Sequence, residues 1–202
     1  MKLIVITPPT FFIEEDKIIT TLFEEGLDYL HLRKPDTEPM YSERLLTLIP
    51  ERYHKRIVTH DHFYLKTEFD LLGIHLSERN PKAPENYRGP LSRSCSSLEE
   101  LKKCKSSCNY VLLSPPFDGI AERNYRTYFS KEELKKAARA GLIDKKVMAL
   151  GGIDEAGIPE AKEYGFGGVA ILGDLWNRFD MRSNPDYKGI IEHFRVLKKL
   201  TD

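Results

Sequence analysis

The sequence predicts a (β/α)₈ TIM barrel built as a single domain from residues 1–202. Three observations carry that prediction. Short apolar runs alternate with helix-periodic or loop segments along the whole chain, the pattern of parallel βα units. Eight such runs fit into 202 residues, the small end of the range for this barrel. The last two runs, Val147 to Leu150 and Gly168 to Leu172, each end at glycine, and barrels of this kind often bind phosphate after strands 7 and 8. An open doubly wound sheet is the competing architecture, but no G-x-G-x-x-G follows the first run.

In chain order, Leu3 to Thr7 is β-rich and stops at Pro8-Pro9. Asp16 to Glu25 then carries Ile18, Ile19, Leu22 and Phe23 at helical spacing, and Gly26 ends it. Tyr29 to Leu32 is the second strand, Arg33-Lys34-Pro35-Asp36 its loop, and Pro39 opens a helix that runs to Leu48. Ile57-Val58-Thr59 makes a short third strand, followed by His60-Asp61 and a helical segment to about Phe69. Gly73 to Leu76 is the fourth. A polar loop from Ser77 to Arg88, containing Pro81 and Pro84, leads to a fifth strand at Leu91 to Ser94 and a helix over Ser97 to Lys103 with a serine cap. Tyr110 to Leu113 is the sixth strand, ended by Pro115-Pro116. Phe117 to Ser130 has no periodicity and is long for a connection, the mark of a functional or mobile loop, and Ser130 caps a helix through Ala140. The seventh strand is followed by Gly151-Gly152 and a helix from near Asp154; the eighth turns at Gly173-Asp174 into another helix, and Lys188 to Leu200 packs outside as the last.

Lysine plus arginine equals aspartate plus glutamate at 31 each, which argues against nucleic acid or an anionic membrane as partner. Leu3 to Ile6 is too short for a signal-peptide core or a membrane span. Cys95, Cys104 and Cys108 are odd in number, lack paired zinc-finger spacing and read as reduced thiols. These features together predict a cytoplasmic protein. Cys104 and Cys108, facing each other on one helix and joined by a histidine, are the minority metal-site reading of the cysteines.

In a (β/α)₈ barrel, chemistry sits at the C-terminal ends of the strands. Those positions hold His31 and Arg33-Lys34, His60-Asp61, His75 to Asn80, Ser94, Ser114 to Arg126, Gly151-Gly152 and Gly173-Asp174, a set rich in cations and backbone donors. The backbone at Gly151, Gly152, Leu172 and Gly173 reads as a phosphate cradle, although such glycines also simply make tight turns. His31 and Arg33, two apart, share a face, so Arg33 reaches a ligand if that face is the interior; the alternative is a buried ion pair with Asp61 or Glu78. Asp61 suits either Mg²⁺ or the cap of the next helix. His60 and His75 read as hydrogen-bonded structural groups or as acid/base groups, and Ser94 as a phosphate donor or a turn residue.

Seven pieces in order, LHLRK (Leu30 to Lys34), THD (Thr59 to Asp61), GIHL (Gly73 to Leu76), LSRSCSSLEE (Leu91 to Glu100), SPPF (Ser114 to Phe117), ALGGI (Ala149 to Ile153) and GVAILG (Gly168 to Gly173), resemble the thiamine phosphate synthase family and its paralogue, the TenI-like thiazole tautomerases. The resemblance implies a transferase of thiamine biosynthesis that joins an aminopyrimidine diphosphate to a thiazole phosphate, with Mg²⁺ holding the diphosphate. It also implies small phosphorylated substrates as partners and a possible homodimer. Carried onto this sequence, Arg33, Asp61 and Ser94 serve diphosphate and Mg²⁺, and Gly152 and Gly173 serve the thiazole phosphate.

The sequence departs from the family at named points. The pattern Q-x-R-x-K is His31, Arg33 and Pro35; N-D is His60-Asp61; G-Q-x-D is Ser77, Glu78, Arg79 and Asn80; T-x-T-K is Gly119, Ala121 and Glu122. Arg79, Arg93, Arg123 and Arg126 are the candidates to replace the lost cations. The tautomerase alternative needs His31 or His60 for proton transfer, because Pro115 stands at the family histidine position. The third alternative is a non-catalytic protein that binds thiazole phosphate or thiamine phosphate.

Overall fold

The computed structural model describes residues 1–114, 129–178 and 187–202. Its eight strands, β1 (Lys2–Ile6), β2 (Tyr29–Leu32), β3 (Ile57–Thr59), β4 (Gly73–Leu76), β5 (Leu91–Cys95), β6 (Tyr110–Leu113), β7 (Val147–Leu150) and β8 (Gly168–Ile171), close into a barrel in sequence order. Every pairing is parallel, and β1 closes on β8 with Leu3 opposite Val169 and Val5 opposite Ile171. That closure rules out the open sheet.

The helices α1 (Glu15–Glu24), α2 (Pro39–Leu48), α3 (Leu65–Glu68), α4 (Leu98–Cys104), α5 (Lys131–Arg139), α6 (Gly157–Glu163), α7 (Gly173–Trp176) and α8 (Tyr187–Thr201) flank the strands. A 3₁₀ segment at Glu51–Arg56, which apolar periodicity does not signal, delivers the chain into β3. Among the described residues no helix is long and apolar enough to cross a membrane. Helix α1 buries Ile18, Ile19, Leu22 and Phe23, the residues its spacing picks out. Ser130 and Glu133 cap each other's backbone at the start of α5.

Alternation along each strand divides the barrel into two cores. Leu3, Val5, Leu30, Ile57, Val111, Val147, Val169 and Ile171 pack outward under the helices. Inside lies a smaller apolar cluster of Ile4, Ile6, Leu112, Met148 and Ala170. Each fully buried Leu or Ile contributes roughly 1.5–3 kcal/mol by leaving water, so the outer layer supplies most of the hydrophobic stabilisation. Gly168 is required on the inside: a Cβ there would lie 2.6 Å from Met148 Sδ and 2.6 Å from the Lys2 carbonyl oxygen.

Most of the expected Phe117 to Ser130 loop, and with it Pro115, Gly119, Ala121, Glu122, Arg123 and Arg126, lies outside the described residues.

Candidate functional site

On the inner wall, strands β2 to β6 carry polar groups where the opposite wall carries aliphatic ones. His31 on β2, His60 just past β3 and His75 on β4 meet inside the barrel, all buried. His31 Nδ1 lies 2.8 Å from His60 Nε2, and the His60 and His75 rings stack with centroids 4.1 Å apart. Tyr110 Oη sits 2.6 Å from His31 Nε2, while Ser92 Oγ and Ser94 Oγ each lie 2.8 Å from a nitrogen of His75. Burial holds His31 down at about 3. Burial, then the neighbouring histidines and Arg33, hold His60 well below the ordinary histidine range. Burial, then His31, Arg93 and Arg33, do the same for His75. All three rings are therefore neutral near pH 7, and both nitrogens of His31 and of His75 are engaged.

Above this cluster the loops after β2, β3 and β4 converge on Asp61. Its carboxylate accepts the Lys34 N–H at 3.2 Å and the Asn80 side-chain amide at 3.1 Å; the same amide nitrogen donates to the His60 carbonyl at 2.9 Å. Helix α3 begins at Leu65 without a side-chain cap, so Asp61 ties three loops together and does not cap that helix. Asn80, at the family's second-carboxylate position, thus holds the first carboxylate in place.

Arg33 is fixed through its backbone: its N–H donates to Thr7 Oγ1 at 3.0 Å, and the Thr7 hydroxyl donates to its carbonyl at 3.1 Å. Among the described residues its guanidinium makes no ion pair, so the pairing with Asp61 or Glu78 does not form. Lys34 turns the other way, as strand alternation requires, and is sealed under α1 with Nζ 2.6 and 2.9 Å from the Glu15 carboxylate oxygens. Burial, partly offset by Lys34, raises Glu15 to about 7, and burial lowers Lys34. Of the replacement cations, Arg79 is paired with Asp36 at 2.6 Å. Arg93 points outward between the inward-facing Ser92 and Ser94, and reaches the Pro81 carbonyl at 3.5 Å. It does not enter the interior.

Across the mouth, Gly151 and Gly152 have φ of 98° and 66°, a region that favours glycine. No turn, loop or side-chain hydrogen bond among the described residues takes the N–H of Gly152 or Gly173. The register Leu150 opposite Ala170, carried on, sets Gly151-Gly152 beside Ile171-Leu172, with Gly173 the next residue. The helices behind them contribute less than the sequence suggested. Helix α6 starts only at Gly157, its first turn already held by Asp154 Oδ1, which accepts the N–H groups of Ala156 and Gly157. Helix α7 is a single turn, anchored by Trp176 Nε1 donating to the Ile6 carbonyl at 2.7 Å. Asp174 beside the cradle is engaged by His193 Nε2 at 2.6 Å and by Arg178 at 3.1 Å.

Cys104 Sγ lies 2.9 Å from Cys95 Sγ, and Cys108 follows a 3₁₀ turn, so Cys104 and Cys108 do not share one helix face. Among the described residues the candidate metal cluster contains no cysteine. Sequence reasoning missed the joint role of Tyr110, Ser92 and Thr7; their inward or strand-end registers were the available signal.

A family model described as "Thiamine monophosphate synthase" matches residues 3–175. A crystal structure of a thiamine phosphate pyrophosphorylase from Bacteroides thetaiotaomicron is 60% identical, with a TM-score of 0.92 and coverage of 100% of this chain and 98% of that one. Curated thiamine-phosphate synthases are more distant. That of Prochlorococcus marinus is 24% identical over 81% of this chain, which spans only 49% of that protein's length. That of Flavobacterium johnsoniae is 23% identical over 79% of this chain and 82% of its own. A thiamine phosphate pyrophosphorylase from Pyrococcus furiosus, 20% identical with a TM-score of 0.71 and coverage of 100% and 97%, shares the fold.

Proposed function

Because the chain belongs to the thiamine monophosphate synthase family, we propose that it joins an aminopyrimidine diphosphate to a thiazole phosphate and releases diphosphate. The observation that carries this reading is the arrangement of the mouth: a held Asp61 and an Arg33 whose guanidinium has no ion pair among the described residues on one side, and on the other Gly152 and Gly173, whose N–H groups no turn, loop or side-chain bond takes among those residues. The reaction asks for little else. The C–O bond to diphosphate breaks and the bonding pair leaves with the oxygen; the thiazole nitrogen lone pair then closes on the resulting pyrimidine methylene cation. Stabilising the departing charge and holding the partners together supply the rate.

In this reading Arg33 meets the diphosphate, Gly151, Gly152, Leu172 and Gly173 hold the thiazole phosphate, and the Ser94 hydroxyl, 2.8 Å from His75 Nε2, turns from that nitrogen to the diphosphate. Asp61 fits Mg²⁺: a half-buried carboxylate with lone pairs left beyond its two hydrogen bonds is the donor such an ion takes alongside substrate phosphates. Bound there, Mg²⁺ would neutralise diphosphate charge. His31 and His60, named with Arg33 as candidate catalytic groups, have the part of holding the floor beneath Asp61. Their burial and mutual hydrogen bond give no support to the tautomerase route.

The test is direct. Purified protein given both substrates and Mg²⁺ is expected to form thiamine phosphate, identified by mass. No product above the enzyme-free rate, with thiazole phosphate still bound, would leave the non-catalytic binding protein standing instead.

A further inference from the structure

The histidine cluster is not needed for the transferase reading, and its composition is unusual for a barrel interior. One nitrogen from each of His31, His60 and His75 lies within 4.8 Å of the others, on three adjacent strands or strand ends. We propose that these three histidines form a site for a borderline divalent transition metal of the Zn²⁺ and Co²⁺ class inside the barrel, separate from the oxygen-ligand site at Asp61.

Ligand chemistry sets the class. Imidazole nitrogen suits Zn²⁺, Co²⁺, Ni²⁺ and Cu²⁺, whereas Mg²⁺ takes oxygen. The remaining ring nitrogens of His31 and His75 have the partners that orient metal-bound histidines. Tyr110 Oη holds His31 Nε2, leaving Nδ1 to face the cluster. The Ser92 hydroxyl donates to the Ile74 carbonyl at 3.4 Å, so its oxygen accepts from His75 Nδ1–H and the His75 lone pair sits on Nε2, toward Ser94. With its proton on Nε2, His31 accepts from His60 Nε2–H at Nδ1, so metal binding moves the His60 proton from Nε2 to Nδ1, while His31 and His75 already carry theirs on the nitrogen turned away from the metal.

Binding requires the His60 and His75 rings, stacked with centroids 4.1 Å apart and 22° between their planes, to turn so that both lone pairs converge on the ion. With metal–nitrogen bonds of about 2.0–2.1 Å in a tetrahedron, ligand nitrogens stand about 3.3 Å apart. The His31–His60 pair therefore opens from 2.8 Å, and His75 exchanges Ser94 Oγ for the metal. The fourth position is left to water or the Ser94 hydroxyl. The charge of Arg33, which already acts on His60 and His75, weakens the site.

The full chain, stripped with a chelator and titrated with Co²⁺ alone, is expected to bind one ion per chain with the intense visible bands of a tetrahedral nitrogen site. Zn²⁺ should bleach those bands, and excess Mg²⁺ should leave them. His60→Gln and His75→Gln should each lower Co²⁺ affinity at least tenfold. Absence of bound cobalt, bands removed by Mg²⁺, or binding that both variants leave unchanged overturns the proposal. Should the variants not fold, the proton NMR of the cobalt-loaded wild type decides: three strongly shifted imidazole N–H signals support the site, and fewer than three refute it.

Discussion

The two halves of the barrel interior are filled by different physics. From β6 round to β1 the lining is Leu112, Met148, Ala170, Ile4 and Ile6, packed by shape. From β2 to β5 it is His31, His60, His75, Ser92 and Ser94, joined by hydrogen bonds and closed by Tyr110 from β6. The aliphatic half stands beneath the glycine cradle, whose backbone donors need rigid support and no charge. The polar half stands beneath Arg33 and Asp61, where side-chain charge is displayed. The wall under each half of the mouth thus matches what that half has to hold.

Leu112→Ala should break the aliphatic half most severely, costing about 2–5 kcal/mol of stability through the cavity it leaves; chemical denaturation measures it, and kcat/KM is expected to stay within a few-fold. Next in size, Arg33→Ala should lower kcat/KM by about 10²–10³ with an unchanged melting curve, as removal of one preorganised donor does. Equal losses of activity from both substitutions would erase the distinction between the halves.

The polar half also predicts a pH dependence. His31 titrates near 6.5 when unfolded and at about 3 when folded, and His60 and His75 are depressed as well. Between those values the unfolded chain binds more protons, so stability is present above pH 6.5 and is lost as pH falls. Each histidine contributes roughly 1.4 kcal/mol per pH unit in that window. Denaturant midpoints from pH 7 down to 5 should show this slope, and His31→Gln should reduce it. The smallest effect is expected at the edge of the aliphatic half: Asp154→Ala removes the acceptor for two N–H groups at the start of α6 and should cost about 1 kcal/mol of thermal stability.

The strands were legible because each is an apolar run closed by proline, glycine or a polar cluster, and β2, β3, β4, β6 and β7 fall on the residues the runs mark. The cradle glycines were legible for the same reason. Partnerships across the barrel were not. That His31 meets His60 and Tyr110, or that Arg93 points outward, depends on the register of neighbouring strands, which no local pattern encodes. Asp154 shows the same limit on a short scale: it reads as the first helical residue, whereas its carboxylate holds a turn and the helix begins at Gly157. Lys34 was legible in direction only, since its partner Glu15 lies in another βα unit.

The most direct test of a divided mouth is to measure the two phosphorylated ligands separately by calorimetry, Mg²⁺-diphosphate and thiazole phosphate, on the wild type, Arg33→Ala and Gly173→Val. The account predicts that Arg33→Ala weakens diphosphate at least tenfold and leaves thiazole phosphate unchanged, while Gly173→Val does the reverse. Both ligands weakened alike by either substitution would contradict it.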